Sequence, residues 1–243
     1  MIDFGIIAAG DGNRIKEEGS ILPKPLVDIE GKPMIGRLIS LMEDCGANSV
    51  SIIVNSDMPD VWKYLQGWVP SSGCELKMIS KKTPSSMHSF YELLNVMKPS
   101  DKFIITTVDT IFKGEDFKRY AEYFRNAPED IDGVMGVTSY IDDEKPLYVE
   151  TGTDNKITAY LDSPVSMSQN TINKTQYISA GIYGLRKSAL PVLQSCIEAG
   201  VNRMRNFQRK LVEEGLNLKA FDLGKVLDVD HISDIQKANS FLS

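Results

Sequence analysis

Residues 4–15, FGIIAAGDGNRI, form a short apolar run that breaks into Gly-Asp-Gly-Asn-Arg. A β-branched run closed by glycine is the pattern of a parallel strand buried on both faces. Gly10 and Gly12 allow a sharp turn and a close approach of backbone to a ligand, because neither has a Cβ. Successive N–H groups in such a turn form a concavity for anions, and Arg14 adds a guanidinium able to bond in two prongs. Taken alone, the stretch has two readings: a strand-to-helix turn with a surface arginine, or a phosphate-holding loop. It is not a dinucleotide fingerprint, which needs a third glycine where Ile15 stands, nor a P-loop, which needs Gly-Lys-Ser/Thr.

The flanking sequence decides the fold class. From Met34, apolar residues at Ile35, Leu38, Ile39 and Met42 follow helical spacing, with Gly46 as a stop. Strands are predicted at 49–54, 74–80 and 102–108, and helices over 58–69 and 86–97. A further helix carries Phe117, Tyr120, Ala121 and Phe124 on one stripe. Strands alternating with helices of this length imply βαβ crossovers and a mostly parallel sheet. After residue 130, DGVMGVTSY, PLYVETG, KITAYLD and QYISAGIYGL read as strands with short connections, closer to antiparallel additions. Helices are expected at 187–199 and 203–214, the latter capped by Asn202 and stopped by Gly215. A last strand spans 217–229, a closing helix begins at 233, and 163–174 is expected to be a mobile loop. The expectation is one α/β domain over 1–243 with a mixed, mostly parallel sheet.

Of the 243 residues, 42% are hydrophobic and 25% charged, enough apolar material for a sizeable core. With 27 basic and 33 acidic residues the net charge is −6, which argues against a nucleic-acid or membrane-surface partner. Cys45, Cys74 and Cys196 are far apart, and with only His88 and His231 there is no zinc-ligand spacing. Free thiols and an N-terminus that reads as a strand predict a reducing, cytoplasmic setting.

Three more stretches carry chemistry. In PKPLVDIEGKP (23–33), two prolines fix the backbone around Lys24, so its ammonium can serve as a point charge for phosphate, although lysines in X-Pro loops are also common. In IITTVDTIF (104–112), Asp109 follows a buried strand, where ligands of open α/β sheets bind, or it caps a turn. In KVLDVDHISDIQKAN (225–239), alternation sets Asp228 and Asp230 on one side of an extended run, a donor pair that suits a hard cation. Asp230 or Ser233 could equally cap the following helix. If the sheet is parallel, the segments near 10, 109 and 228 converge on one edge.

IAAGDGNRIKEEGSILPKPLVDIEGKPMI resembles the opening signature LAAGxGTRLxP…PKPLVPVxGKPML of the nucleotidyltransferases that activate sugar phosphates, the sugar-nucleotide pyrophosphorylases. Asn13 stands where threonine is usual. The resemblance implies a Rossmann-like three-layer α/β/α sandwich, the nucleotide-diphospho-sugar transferase fold. Residues 1–130 would hold the nucleotide and 131–243 the acceptor. It further implies that Ala8, Ala9, Gly10, Asp11, Gly12 and Asn13 surround a nucleoside triphosphate. Arg14 would activate the phosphates, and Lys24 would neutralise charge at the reacting phosphorus. The family's GDxxF aspartate, which binds magnesium, corresponds to Asp109. Its DVDTPEDLxxAN stretch corresponds to Asp228 and, as a second Mg²⁺ candidate, Asp230.

By the same resemblance Ser85 and Ser86 occupy the base- and sugar-contacting turn; the alternative reading of the residues is a helix N-terminus capped by Ser85. Ser179, Ala180 and Gly181 occupy the YxNAGIYxF turn that lines the acceptor pocket. Asp162 stands for the acid of the family's EKP, and Ser163 replaces its lysine. The expected activity is Mg²⁺-dependent joining of a nucleoside triphosphate to a sugar 1-phosphate or similar acceptor, with release of pyrophosphate. A nucleotide-sugar-dependent glycosyltransferase of related fold and a non-catalytic nucleotide-binding relative are the alternatives.

Overall fold

The computed structural model describes residues 2–70, 73–164 and 176–243. Its elements run β1 (Ile2–Ala8), α1 (Asn13–Glu17), β2 (Asp28–Ile29), β3 (Lys32–Pro33), α2 (Met34–Asp44), β4 (Ser49–Val54), α3 (Pro59–Gln66), β5 (Glu75–Ser80) and α4 (Ser86–Met97). There follow β6 (Lys102–Thr107), β7 (Thr110–Ile111), α5 (Gly114–Asn126), β8 (Gly133–Thr138), β9 (Tyr148–Thr151), β10 (Ile157–Leu161) and β11 (Tyr177–Leu185). The chain continues through α6 (Leu190–Glu198), α7 (Met204–Glu213), β12 (Leu218–Asp222), β13 (Leu227–Asp228) and α8 (Ile232–Leu242).

One nine-stranded sheet organises these elements. Its main path is β10-β9-β11-β6-β1-β4-β5, with β8 beside β11 and β12 beside β8. β1 pairs in parallel with both β4 and β6, and β4 with β5, as βαβ crossovers require. β11 runs antiparallel to β6, β8 and β9, so the second half adds to the edge of the first, as its shorter connections predict. β12 departs from that pattern and pairs in parallel with β8.

Two apolar layers cover the sheet. The stripes of α2, α3 and α5 meet Phe4, Ile6, Ile52 and Ile104 on one face. α4, α6 and α7 meet Ile7, Ile53, Phe103 and Ile105 on the other. Successive residues of a strand point to opposite faces, so the consecutive apolar residues 4–8, 52–54 and 103–105 supply both layers at once. A third, smaller core of Ile15, Val27, Ile29, Met34, Ile111, Leu227, Val229 and Ala238 lies apart from these two. It joins α1, β2, β7, β13 and α8, the segments that flank the chemistry-bearing stretches.

Several boundaries differ from expectation. The strand expected over 217–229 is two: β12 ends at Asp222, and β13 joins a separate two-stranded ladder with β7. The residue before α7 is Arg203, held at φ 72° and ψ 140°, and not Asn202; the Asn202 carbonyl instead accepts from the Asn206 side chain. α8 starts at Ile232, preceded by His231 in place of Asp230 or Ser233. Gly46 and Gly215 do end their helices, at φ 82° and 80°. Most of the expected 163–174 loop lies outside the described residues.

Candidate active site

The loop after β1 passes through Gly10, Asp11 and Gly12 into the short α1. Gly12 has φ 60°, and a Cβ there would lie 2.9 Å from Cβ of Lys24, so the loop and the Pro-Lys-Pro turn are in direct contact at a position that requires glycine. Gly10 is different: a Cβ would meet nothing within 4 Å, so no contact within the chain demands glycine there. Pro23 precedes and buried Pro25 follows Lys24, which opens a tight turn of 3₁₀ helix over Lys24–Leu26.

That turn aims the Lys24 ammonium between two carboxylates. Nζ donates to Asp109 Oδ2 and to Asp230 Oδ1, both at 2.6 Å, with the lysine side chain only 11% exposed. Arg14 approaches from α1 and donates to the other Asp230 oxygen at 2.6 Å. Asp230 therefore anchors the two cations with both of its oxygens. Burial opposes the charge on Lys24, but facing Asp109 and Asp230 outweigh it and hold the ammonium above its ordinary pKa. Burial likewise raises Asp109, and Lys24 together with a Thr107 hydrogen bond holds its carboxyl below the usual range.

Asp228 arrives by a route that strand periodicity does not reveal. It is not at the end of a strand of the main sheet. β13 pairs with β7, setting Asp228 opposite Thr110, and the Val229 N–H donates to the Asp109 carbonyl at 3.0 Å. Leu227 and Val229 turn into the third core while Asp228 and Asp230 turn toward the cleft, the alternation expected of an extended run. Among the described residues no cation forms an ion pair with Asp228. Enclosure in the cleft, with Asp109, Asp143 and Asp230 nearby, pushes its carboxyl up to about 8. Asp109 and Asp228 are hard oxygen donors of the kind a magnesium ion takes, and a cation there would relieve the crowding that raises Asp228, although among the described residues no three such side chains cluster as a complete ligand set.

Two cavities meet at this centre. One, of about 290 Å³, is lined by Ala8, Ala9, Gly10, Asp11, Gly12, Lys24, Ser85, Ser86 and Asp109. Nearly all the residues expected to surround a triphosphate therefore share one cleft. Asn13, exposed as the first residue of α1, faces a neighbouring outer cavity instead. Ser85 does precede α4, but its hydroxyl pairs with His88 Nδ1 at 2.9 Å and accepts from the Arg203 N–H at 3.2 Å. The second cavity, of about 240 Å³, contains Arg14, Ser179, Ala180, Asp228 and Asp230. Its outer wall is a segment carrying Asp142, Asp143 and Glu144, tied to α8 through Asp142–Lys237 at 2.9 Å and Glu144–His231 at 3.5 Å.

The remaining expected residues distribute unevenly. Ser179 donates to the buried Gln208 Oε1 at 2.9 Å. Gly181 sits at a break in the β11–β8 register, with φ 70°, and a Cβ there would meet the Thr110 and Thr107 hydroxyls at 2.6 and 2.7 Å. Asp162 lies on the edge beyond β10, paired with Arg205 at 2.9 Å and Arg209 at 2.6 Å, and it is not part of the lining of either cavity. Asn55, which no motif marked, is 1% exposed at the end of β4. Its amide donates to Asp11 Oδ1 at 2.9 Å and to the Ala9 carbonyl at 3.3 Å.

Comparison with known proteins bears on the family and the fold. The family model of the MobA-like NTP transferase domain matches residues 5–211. Bifunctional protein GlmU of Methanococcus maripaludis strain C5 is 25% identical over 98% of this chain and 54% of its own length. Mannose-1-phosphate guanyltransferase of Debaryomyces hansenii is 23% identical over 94% of this chain and 61% of its own. The chain spans about half the length of the curated relatives it matches. The inositol-1-phosphate CTP transferase of T. maritima superposes with a TM-score of 0.74 at 19% identity, covering 100% of this chain and 98% of that one, a likeness of fold. Among the described residues no helix is long and apolar enough to cross a membrane. By the match over residues 5–211, the chain belongs to the MobA-like NTP transferase family.

Proposed function

We propose that this chain is a magnesium-dependent nucleotidyltransferase joining a nucleoside triphosphate to a phosphorylated small-molecule acceptor. Residues 1–130 would supply the nucleotide side and 131–243 the acceptor side. The observation that carries the reading is the Lys24 ammonium fixed between Asp109 and Asp230 at the junction of the two cavities. The difficulty of this reaction is bringing two anions together, so catalysis is positioning and charge neutralisation.

The Gly10–Gly12 loop directs backbone N–H groups at phosphate. Lys24, held rigidly, meets the charge that develops at the α-phosphorus, and Arg14, half exposed on its Asp230 tether, is free to swing onto the departing pyrophosphate. Asp109 and Asp228 would hold the magnesium ion, which, when bound, screens the phosphate oxygens and orients them for in-line attack. No side chain need act as general base, because a phosphomonoester is already ionised near neutral pH. Ser179 and Ala180 would floor the acceptor cavity, and Ser163, where the resembling family has lysine, leaves the acceptor's identity open to a sugar 1-phosphate or an alcohol phosphate.

The test is pyrophosphate release from each common NTP with Mg²⁺ and a panel of sugar and alcohol phosphates. Activity lost in Lys24→Met and Asp109→Asn supports the proposal. Release of a free nucleoside diphosphate from a nucleotide sugar, without pyrophosphate, would identify a glycosyltransferase instead.

A further inference from the structure

Asp11 is an anomaly for a loop that receives a polyanion. It stands at the boundary of two cavities, lining the nucleotide cleft with Thr83, Ser85 and Ser86 and the outer cavity with Asn55, Asp57 and Lys82, and among the described residues no lysine or arginine forms an ion pair with it. The nearby Lys82 is engaged by Asp57 at 2.6 Å. A carboxylate accepts hydrogen bonds only, so it has nothing to offer a phosphate oxygen.

Asn55 determines where that carboxylate points. The Asp57 N–H donates to Asn55 Oδ1 at 2.9 Å, which fixes the amide's orientation and turns Nδ2 toward Asp11 Oδ1 and the Ala9 carbonyl. The anchor sits at the end of β4, and Asp109 follows β6 on the other side of β1. Two strand spacings, about 10 Å, thus separate the Asp11 tether from the phosphate-reacting centre. Asn55 holds the negative charge away from Lys24, at the boundary between the nucleotide cleft and the outer cavity. One Asp11 oxygen is held there, and the carboxylate's remaining lone pairs are available to the cleft.

We propose that Asp11, positioned by Asn55, reads the base edge and selects nucleotides that present an amino N–H donor over those that present a carbonyl there. This rests on the nucleotidyltransferase reading and assigns its nucleotide specificity. An ionised acceptor attracts an exocyclic amine and repels a carbonyl oxygen, and such charge-assisted bonds are about twice as strong as neutral ones. Asn55 is a positioning residue, acting only through Asp11 and the loop.

Binding of CTP, UTP and inorganic tripolyphosphate, each with Mg²⁺, by calorimetry on the full chain tests this. CTP and UTP differ at the pyrimidine 4-position, amino in one and carbonyl in the other. The wild type should bind CTP about tenfold more tightly than UTP, the worth of one charge-assisted bond. Asp11→Ala should lose that preference through weaker CTP binding, leaving tripolyphosphate binding no weaker. Asp11→Asn, which adds a donor, should lose or reverse it. Asn55→Ala should also lower the CTP/UTP ratio, an effect that mere destabilisation would not produce. The exposed Asp11 variants decide the matter even if Asn55→Ala fails to fold. Equal wild-type affinity for CTP and UTP overturns the proposal. So does an Asp11→Ala variant that tightens all three ligands alike, which would mean simple repulsion, or one that weakens CTP and UTP alike, which would mean a ribose contact. If no triphosphate binds the wild type, the nucleotidyltransferase reading itself falls.

Discussion

Replacing Asp228 by asparagine removes one negative charge from a cleft that also holds Asp109, Asp143 and Asp230. Enclosure and those neighbours push the Asp228 carboxyl up to about 8. In the unfolded chain the same group titrates near 3.9. Between these values the folded state retains a proton that the unfolded state has lost, so folding stability falls as pH rises from about 4 to about 8. A dry carboxyl so displaced would cost several kcal/mol at alkaline pH. Asp228 is open to water, however, and screening reduces charge interactions at wet sites to about 1 kcal/mol. For a chain of this size that corresponds to a gain of ~2–4 °C in Tm for Asp228→Asn at pH 8. The gain should shrink toward pH 4, where the folded aspartic acid is neutral like asparagine and the unfolded group is about half protonated. Magnesium ions at pH 8 should raise the Tm of the wild type and have far less effect on the variant, which should also lose transferase activity. Scanning calorimetry at the two pH values, with and without MgCl₂, measures all of this. A variant less stable than wild type at pH 8, or a difference independent of pH, would refute the account of the cleft as uncompensated negative charge.

Lys24→Met should have the opposite sign, because it strips compensation from the same cleft. Losing a buried ion-pair partner costs 3–5 kcal/mol, and water access to Asp109 and Asp230 brings this to about 2 kcal/mol, or ~4–8 °C in Tm. Its rate should fall by about 10²–10³, as when one preorganised charge contact is removed, and wild-type turnover would contradict the assignment. Gly181→Ala places a methyl group against two threonine hydroxyls at positive φ and should cost about 2–3 kcal/mol by urea denaturation; a loss under ~0.5 kcal/mol would argue against that packing. Hydrogen bonding to Glu18 holds His231 above its ordinary pKa. Stability from that pair is therefore fully present below pH ~6.5 and lost as pH rises through the folded value. Glu18→Gln should lower the His231 titration midpoint by NMR, and an unchanged midpoint would remove Glu18 as the cause.

The sheet was legible because its evidence is periodic. β1, β4 and β6 each carry consecutive apolar residues (4–8, 52–54 and 103–105) and helices separate them, so both a parallel sheet and its two covering layers follow from spacing. α4 and α5 were legible for the same reason, each with a single apolar stripe. What escaped was too short or too distant to have a period. β7 and β13 are two residues each, yet their ladder is what sets Asp228 beside Asp109. Arg203 at positive φ gives no warning in a sequence that offers Asn202 as the better cap. Asn55 is a lone asparagine after a strand, and its significance lies in contacts to Ala9 and Asp11, 46 and 44 residues away.

The third core explains why the chemistry-bearing stretches nevertheless announced themselves. Each consists of polar residues bracketed by apolar ones: Ile15 after the glycine loop, Val27 and Ile29 after Lys24, Ile111 after Asp109, and Leu227 and Val229 around Asp228. Those apolar residues pack on one another and not on the main sheet. The packing around Lys24, Asp228 and Asp230 is therefore largely distinct from the packing that stabilises the domain, whereas Asp109 is also held through Val108 and Phe112 of the main core. A carboxylate cluster that repels itself in the absence of a cation can then be kept assembled by local burial, with Lys24 offsetting part of the repulsion. Loosening this small core, for example by Val229→Ala, should lower magnesium affinity more than the same truncation at the equally buried Val54 of the main sheet. Equal effects on magnesium affinity at matched loss of Tm would show that the site is held by the domain as a whole.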